Sequence, residues 1–202
     1  MQKLLGLVVC GGQSSRMGTD KCMITYYGRP QWQHVYRMLE PLCSDVFISC
    51  NKKQVPNFPM PAPALPDDAE FENTGPMAAL LSAFKRYPNN SFLLVGCDYP
   101  FISKADIEQL IHARHPGTPA VCYWSTEREM VEPLLAIYEA DMHARLLDHF
   151  ANYDFSLRKL LMEAGAVQIT PRTKDILISV DTQEESQEAQ KILLRKISLQ
   201  SE

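Results

Sequence analysis

Short apolar runs alternate with amphipathic segments along the chain, and this alternation predicts buried strands separated by helices. A continuous apolar run of strand length is typical of a strand that is covered on both faces. Alternation of such strands with helices indicates an α/β fold, with a mainly parallel sheet between two layers of helices. Six runs are predicted as strands: residues 4–10, 46–50, 92–97, 120–124, 134–138 and 176–180.

Apolar residues at helical spacing predict three helices between these strands. The first begins just after Pro76, a residue that is favoured at the first position of a helix. The other two begin at capping boxes, in which a hydroxyl and an acid three residues later bond to each other's backbone N–H groups. The capping boxes are Ser103 with Asp106 and Thr182 with Glu185.

Six of the fourteen prolines lie between Pro56 and Pro76. Regular structure is not expected there, because proline lacks a backbone N–H and fixes its φ angle. A linker between two domains is one interpretation, but neither half of the chain alone holds enough strands for a closed sheet. We therefore expect one domain over residues 1–202 with a long surface loop, and such loops tend to be functional.

The composition is that of a globular protein, with 46% hydrophobic residues, 22% charged residues and a net charge of −4. No long basic block is present, so nucleic acid is not expected as a partner. No apolar run has the length of a membrane span, and the first lacks a signal-peptide cleavage pattern. The six cysteines form no C-x-x-C pair, and we expect small buried residues in a reducing cytoplasm.

The loop after the first predicted strand combines two glycines with hydroxyl and cationic side chains. In an open α/β sheet, ligands bind beyond the carboxyl ends of the strands. Gly11 and Gly12 allow backbone N–H groups to approach anionic oxygens, and Arg16 and Lys21 add positive charge. Such a loop suits a triphosphate, although it is neither a Walker A sequence nor a G-x-G-x-x-G motif. The alternative is a glycine turn with a solvated arginine and lysine.

Two acids stand at the carboxyl ends of predicted strands. Asp98 ends a strongly apolar run, so its carboxylate should reach the same sheet edge as the glycine loop. A carboxylate that faces phosphates there needs a cation, and Mg²⁺ with oxygen ligands fits. Asp181 could share that cation or bind it through water. The alternatives are a turn cap for Asp98 and a helix-entry residue for Asp181.

Two further acids close the proline-rich stretch. A carboxylate can accept two hydrogen bonds from the edge of a guanine base. Asp67 or Asp68 is therefore a candidate base-binding residue, and a solvated loop acid is the alternative.

Residues 9–21 resemble the signature L-A-G-G-x-S-x-R-M-G-x-D-K of molybdenum cofactor guanylyltransferases. Weaker matches follow in the family's order and cover essentially the whole chain. They are G-R-P-Q-W-Q-H-V at 28–35, the acids 67–68 with G-P-M at 75–77, C-D-Y-P-F at 97–101, V-E-P-L at 131–134 and S-L-R at 156–158.

This resemblance implies a three-layer α/β/α, Rossmann-like nucleotidyltransferase fold. It implies transfer of GMP from GTP to a molybdopterin-type molybdenum cofactor, with release of pyrophosphate and with Mg²⁺. An accessory protein that delivers the cofactor and recipient molybdoenzymes are candidate partners. The alternatives are a sister enzyme, such as a molybdopterin cytidylyltransferase or a sugar-phosphate nucleotidyltransferase, and a GTP-binding protein without transfer activity.

The residues themselves and the resemblance together give a set of predicted site residues. Arg16, Lys21 and Asp98 are the predicted catalytic residues, and Asp98 with Asp181 the predicted metal ligands. The predicted nucleotide-binding residues are Val9, Cys10, Gly11, Gly12, Ser14, Lys21, Ser49, Asn51, Asp67, Asp68, Gly75 and Asp98.

Overall fold

The structure is a computed structural model that describes residues 2–10, 20–58 and 63–199, the last three of these by their backbone alone. Within these residues the chain forms one seven-stranded sheet with helices packed on both faces. The strands are β1 Leu4–Val9, β2 Val46–Cys50, β3 Ala64–Pro66, β4 Ser91–Gly96, β5 Ala120–Ser125, β6 Met130–Tyr138 and β7 Val167–Ile169. The helices are α1 Gln31–Leu39, α2 Pro76–Arg86, α3 Lys104–His112, α4 Met142–Ala151, α5 Leu157–Glu163 and α6 Gln183–Leu199. Short 3₁₀ helices form at Lys21–Met23, Val55–Asn57, Ala69–Phe71 and Lys174–Leu177.

The strand order is β3-β2-β1-β4-β6-β5-β7. β6 runs antiparallel to both of its neighbours, whereas the other adjacent pairs are parallel. The carboxyl ends of the other six strands therefore meet at one edge of the sheet, which we call the carboxyl edge. The predicted mainly parallel α/β/α fold is confirmed.

Burial of both sheet faces explains the continuous apolar runs in the sequence. Val8 packs into a cluster with residues of α1 and α3, whereas Leu7, the next residue back along β1, packs with α2, α4 and α5. Successive side chains of a strand point to opposite faces, so a strand between two helical layers is apolar at every position. All six residues of β1 are buried accordingly.

The three predicted helices form where their start signals place them. α2 begins at Pro76, and its apolar stripe is buried. Both sides of the Ser103–Asp106 capping box are present at the start of α3. At α6, the Glu185 carboxylate accepts from the Thr182 N–H at 2.9 Å, and the Thr182 hydroxyl accepts from the Glu185 N–H at 3.2 Å.

The strand predicted over residues 176–180 is wrong. Its first residues belong to the 3₁₀ helix Lys174–Leu177, and no strand pairs with the remainder among the described residues. β7 occupies the place beside β5 at that end of the sheet. Ile176 and Leu177 are nevertheless buried in the core, and Val180 packs against α6, so the segment satisfies its apolar residues without strand pairing.

The expectation of no regular structure in the proline-rich stretch is also wrong in part. β3 forms there as a three-residue strand at the sheet edge, parallel to β2. Proline is tolerated at an edge because its missing N–H can face away from the neighbouring strand. Residues 59–62, in the middle of the stretch, lie outside the described residues.

The cysteines are free, as predicted. Five of the six are buried, and Cys43 is half-buried. Among the described helices, none combines the length and apolar character that crossing a membrane requires.

Candidate nucleotide site

The carboxyl edge brings together several residues that the sequence analysis predicts in a nucleotide site. The backbone N–H of Cys10 donates to the Ser49 carbonyl at 2.8 Å, and that of Cys97 donates to the Val9 carbonyl at 3.2 Å. These two bonds hold the carboxyl ends of β1, β2 and β4 side by side. Asp98 follows Cys97 directly. The predictions for Gly11, Gly12, Ser14 and Arg16 fall outside the described residues and stay predictions.

Two buried thiols lie side by side at the ends of β1 and β4. The Sγ atoms of Cys10 and Cys97 are 3.3 Å apart, and burial raises the pKa of both thiols. A thiol with a raised pKa is a poor nucleophile at neutral pH. The pair therefore acts here as packing between two strands rather than as a reacting group.

Asp98 lies two residues after the end of β4. Desolvation raises the pKa of its carboxyl to about 6; Asp181 and Glu132 act in the same direction, and Lys21 acts against them. These influences place two further acids and one cation in its surroundings. A carboxylate with a raised pKa beside a cation is typical of functional sites.

Gly96, two residues before Asp98, leaves room for that carboxylate. A Cβ atom at this position would lie 2.4 Å from Asp98 Oδ1, which is closer than real Cβ contacts allow. The absence of a side chain at Gly96 therefore sets the position of the Asp98 carboxylate.

Lys21 and Asp181 form an ion pair at the same edge, between Lys21 Nζ and Asp181 Oδ1. They are 160 positions apart in the chain. Lys21 is the first residue of the 3₁₀ helix Lys21–Met23, which Asp20 caps, and Asp181 lies just before α6. The structure thus brings together Lys21, Asp98 and Asp181, as the sequence analysis expects.

Gln54 is a site residue that the sequence analysis misses. Its side-chain Nε2 donates to the Cys10 carbonyl at 3.2 Å and also to the Asp20 carboxylate. Cys10 and Asp20 flank residues 11–19, so Gln54 joins the two ends of the predicted phosphate-binding loop. No local sequence signal marks it, because its partner Cys10 is 44 positions away.

Asn51 lies at this edge but has a structural task. Its side-chain oxygen accepts the N–H groups of Lys53 and Gln54, at 3.0 and 3.1 Å. These bonds build the turn that directs Gln54 towards the first loop. The predicted role of Asn51 in nucleotide binding stays a prediction.

The two adjacent acids after β3 have different surroundings. Asp67 lies beside Ser49, whose hydroxyl is 3.5 Å from it, and desolvation raises the pKa of Asp67 to about 6. Asp68 accepts the Glu70 N–H and pairs with Lys85 at 2.9 Å, and these bonds lower the pKa of Asp68. Which of the two contacts a base stays open.

Gly75 lies just before α2, and two of the later sequence motifs contact each other at the carboxyl edge. Gly75 has a φ of 62°, a conformation that favours glycine, and it immediately precedes α2. Arg158, in the S-L-R segment, donates from Nε to the Val131 carbonyl at 3.3 Å, which joins it to the V-E-P-L segment. Because β6 is antiparallel, that segment begins at the carboxyl edge.

Comparisons with known proteins agree with this geometry. The family model described as MobA-like NTP transferase domain matches residues 6–168. A molybdenum cofactor guanylyltransferase of Pseudomonas entomophila is 30% identical over 80% of this chain and 84% of its own. A molybdenum cofactor biosynthesis bifunctional protein of Synechocystis is 36% identical over 67% of this chain, and the match spans 39% of that longer protein.

The fold has a close counterpart among solved structures. The crystal structure of molybdopterin-guanine dinucleotide biosynthesis protein A from Archaeoglobus fulgidus superposes with a TM-score of 0.77. The superposition covers 95% of this chain and 99% of that one at 18% identity, which establishes the shared fold. The matched family model and the guanylyltransferase relative show that this chain belongs to the MobA-like NTP transferase family and is a nucleotidyltransferase.

Proposed function

We propose that this enzyme transfers GMP from GTP to a molybdopterin-type molybdenum cofactor and releases pyrophosphate. The observation that carries the proposal is the convergence of Lys21, Asp98 and Asp181 at the carboxyl edge, next to the two ends of the first loop. A relative that is 30% identical over most of both chains bears the name molybdenum cofactor guanylyltransferase.

The acids at this edge fit a magnesium ion that arrives with the nucleotide. Asp98 and Asp181 offer hard carboxylate oxygens, which Mg²⁺ prefers. Within the described part of the chain, no group of three or more His, Cys, Asp or Glu side chains has the arrangement of a metal site. Substrate phosphates and water would therefore supply the remaining ligands, as is usual for Mg²⁺. When bound, the ion would neutralise phosphate charge.

The chain's own residues then have defined tasks in the transfer. A phosphate oxygen of the acceptor attacks the α-phosphorus of GTP, a new P–O bond forms, and the bond from the α-phosphorus to the bridging oxygen breaks. Pyrophosphate leaves with the electron pair. Lys21, whose ion pair with Asp181 lies at this edge, is expected to stabilise the negative charge on the phosphates, and Arg16 to assist. A protein nucleophile is unnecessary, because the acceptor phosphate already carries a reactive oxygen.

The pKa of Asp98 sets an expected pH dependence. The carboxyl must be ionised to hold a cation, and desolvation raises its pKa to about 6. Between about pH 7 and about pH 5 the ionised fraction falls roughly tenfold for such a pKa. The Mg²⁺ concentration for half-maximal activity is thus expected to rise by roughly the same factor. Magnesium titrations across this range measure it, and a constant requirement would contradict the assignment.

A control separates this effect from a second acid at the site. Desolvation also raises the pKa of Asp67 to about 6. An Asp67→Asn variant should show the same rise in its Mg²⁺ requirement at low pH, since Asp67 is not a proposed magnesium ligand.

The enzyme is proposed to work in the cytoplasm. Its free and mostly buried cysteines are in keeping with a reducing compartment. An accessory protein that delivers the cofactor and molybdoenzymes that receive the product are the proposed partners.

The deciding experiment is pyrophosphate release from GTP or CTP in the presence of Mg²⁺ and molybdenum cofactor. Release with GTP alone supports the proposal. Release with CTP alone would assign the enzyme to the cytidylyl branch. GTP binding without release from either nucleotide would indicate another acceptor or a non-catalytic role.

A further inference from the structure

Glu132, at the start of β6, is a fully buried carboxylate with 0% of its surface exposed. The Tyr99 hydroxyl donates to its Oε2 at 2.7 Å, and Arg128 Nη1 lies 3.2 Å from its Oε1. A buried charge is costly unless it is paired, and an apolar residue of similar size would serve the fold at least as well. The placement of this acid therefore calls for a role beyond packing.

One partner of Glu132 leads directly to Asp98. Tyr99 is the next residue in the chain, and only 4% of its surface is exposed. Its hydroxyl is held by Glu132, and its carbonyl accepts from Gln31 Nε2 at 3.4 Å. Both the side chain and the backbone of Tyr99 are thus fixed, and this fixes the turn that carries the Asp98 carboxylate.

The other partner leads to Asp181. Arg128, in the turn between β5 and β6, donates from Nη2 to the Leu177 carbonyl. Leu177 ends the 3₁₀ helix, and the irregular segment 178–181 follows it. This segment lies where a strand is predicted but does not form, so no sheet ladder holds it. Three backbone N–H groups also hold the segment: that of Ile178 donates to the Asp175 carbonyl at 3.0 Å, that of Val180 to the Asp98 carbonyl at 2.8 Å, and that of Asp181 to the Glu185 carboxylate at 2.7 Å. The Val180 bond is the one that joins the segment to the Asp98 turn.

We propose that Glu132 is a positioning residue for the transfer reaction. Its carboxylate holds the Asp98 turn through Tyr99 and the segment 178–181 through Arg128. The two arms together set the separation of Asp98 and Asp181 around Lys21. This inference rests on the proposed function, since it assigns Glu132 a task in the same site.

A matched control exists on the same strand. Glu139 follows the other end of β6 and forms a bidentate pair with Arg114, at 2.7 and 2.8 Å. Its carboxylate also accepts from Ser91, the first residue of β4, which places the pair at the opposite edge of the sheet. A Glu139→Gln variant therefore disrupts another acid–arginine pair of the same sheet without touching the site.

The test compares Glu132→Gln with Glu139→Gln in the intact chain. Loss of a residue that orients metal-binding groups typically lowers activity by about 10- to 100-fold. We expect a loss of that size in kcat for Glu132→Gln, with little change in KM for GTP. Glu139→Gln should keep the kcat of the natural chain even if its Tm falls.

Amide hydrogen exchange provides a readout that needs no substrate. The Val180 N–H should exchange faster in Glu132→Gln than in the natural chain or in Glu139→Gln, because Arg128, which bonds to the Leu177 carbonyl, loses the carboxylate that orients it. Tyr99→Phe removes a single hydroxyl and tests the other arm if Glu132→Gln does not fold. Combined with Glu132→Gln, it should add little further loss, since both act through one carboxylate.

Equal kcat losses in the two glutamine variants, or unchanged exchange at Val180, would overturn the positioning role. Absence of pyrophosphate release by the natural chain is a different result. It would refute the proposed function, and the exchange experiment would still show whether Glu132 holds the segment.

Discussion

Replacement of Asp98 by alanine is expected to lower turnover on the order of 1,000-fold while the chain stays folded. Asp98 lies just after β4 at the carboxyl edge, and the charges of Lys21 and Asp181 act on its carboxylate. Removing it takes away the principal proposed magnesium ligand. Desolvation raises the pKa of Asp98 to about 6, which means that its ionised carboxylate destabilises the folded chain at neutral pH. Replacement of Asp98 by alanine should therefore not lower the Tm.

The measurement is steady-state pyrophosphate release, with circular dichroism melting to check the fold. Asp45→Ala is the matched control, because Asp45 pairs with Lys3 at 2.9 Å just before β2, at the opposite edge. It should keep full activity. Full activity of Asp98→Ala would remove this residue from the site and with it the proposed metal assignment.

Replacement of Lys21 by alanine is expected to weaken GTP binding by about 10- to 100-fold, the size of one lost hydrogen bond to a charged group. Lys21 pairs with Asp181, and its side chain is 26% exposed. It can therefore reach phosphate oxygens at the carboxyl edge. Calorimetric titration of GTP in the presence of Mg²⁺ measures the effect.

The control for this variant is Lys3→Ala. Lys3 also pairs with an aspartate, but it lies before β1 at the other edge of the sheet. Its removal should leave GTP affinity unchanged. If Lys21→Ala binds GTP as tightly as the natural chain, Lys21 does not contact the nucleotide.

Much of the fold and part of the site follow from local patterns. The apolar runs that became β1 and β4 are buried on both faces, and such runs can be read without knowing their partners. Because parallel strands end at the same edge, the residue after each run could be assigned to one surface. This is why Asp98 and the loop after β1 that leads to Lys21 were expected together. Asp181 was assigned to the same edge from a strand over residues 176–180 that does not form, and the segment 178–181 brings it there without strand pairing.

The remaining features depend on contacts between distant parts of the chain. Residues 176–180 have the composition of a strand, but β7 holds the neighbouring position in the sheet. No local sequence signal marks Gln54, and the V-E-P-L segment does not reveal the task of Glu132, because Gln54 contacts Cys10 and Glu132 contacts Tyr99, each more than thirty positions away. Tertiary contacts of this kind decide the outcome where local preference is weak.

The reversed direction of β6 has a consequence for how such an enzyme can diversify. β5 and β6 are joined by a hairpin of four residues, whereas parallel neighbours require a long crossover. Lengthening a hairpin tip adds little loop-closure entropy, so this connection tolerates insertion and exchange. The tip lies beside the half of the carboxyl edge that β1 and β2 do not form. Insertions that keep Arg128 can therefore reshape this half of the carboxyl edge while the ends of β1 and β2 stay as they are.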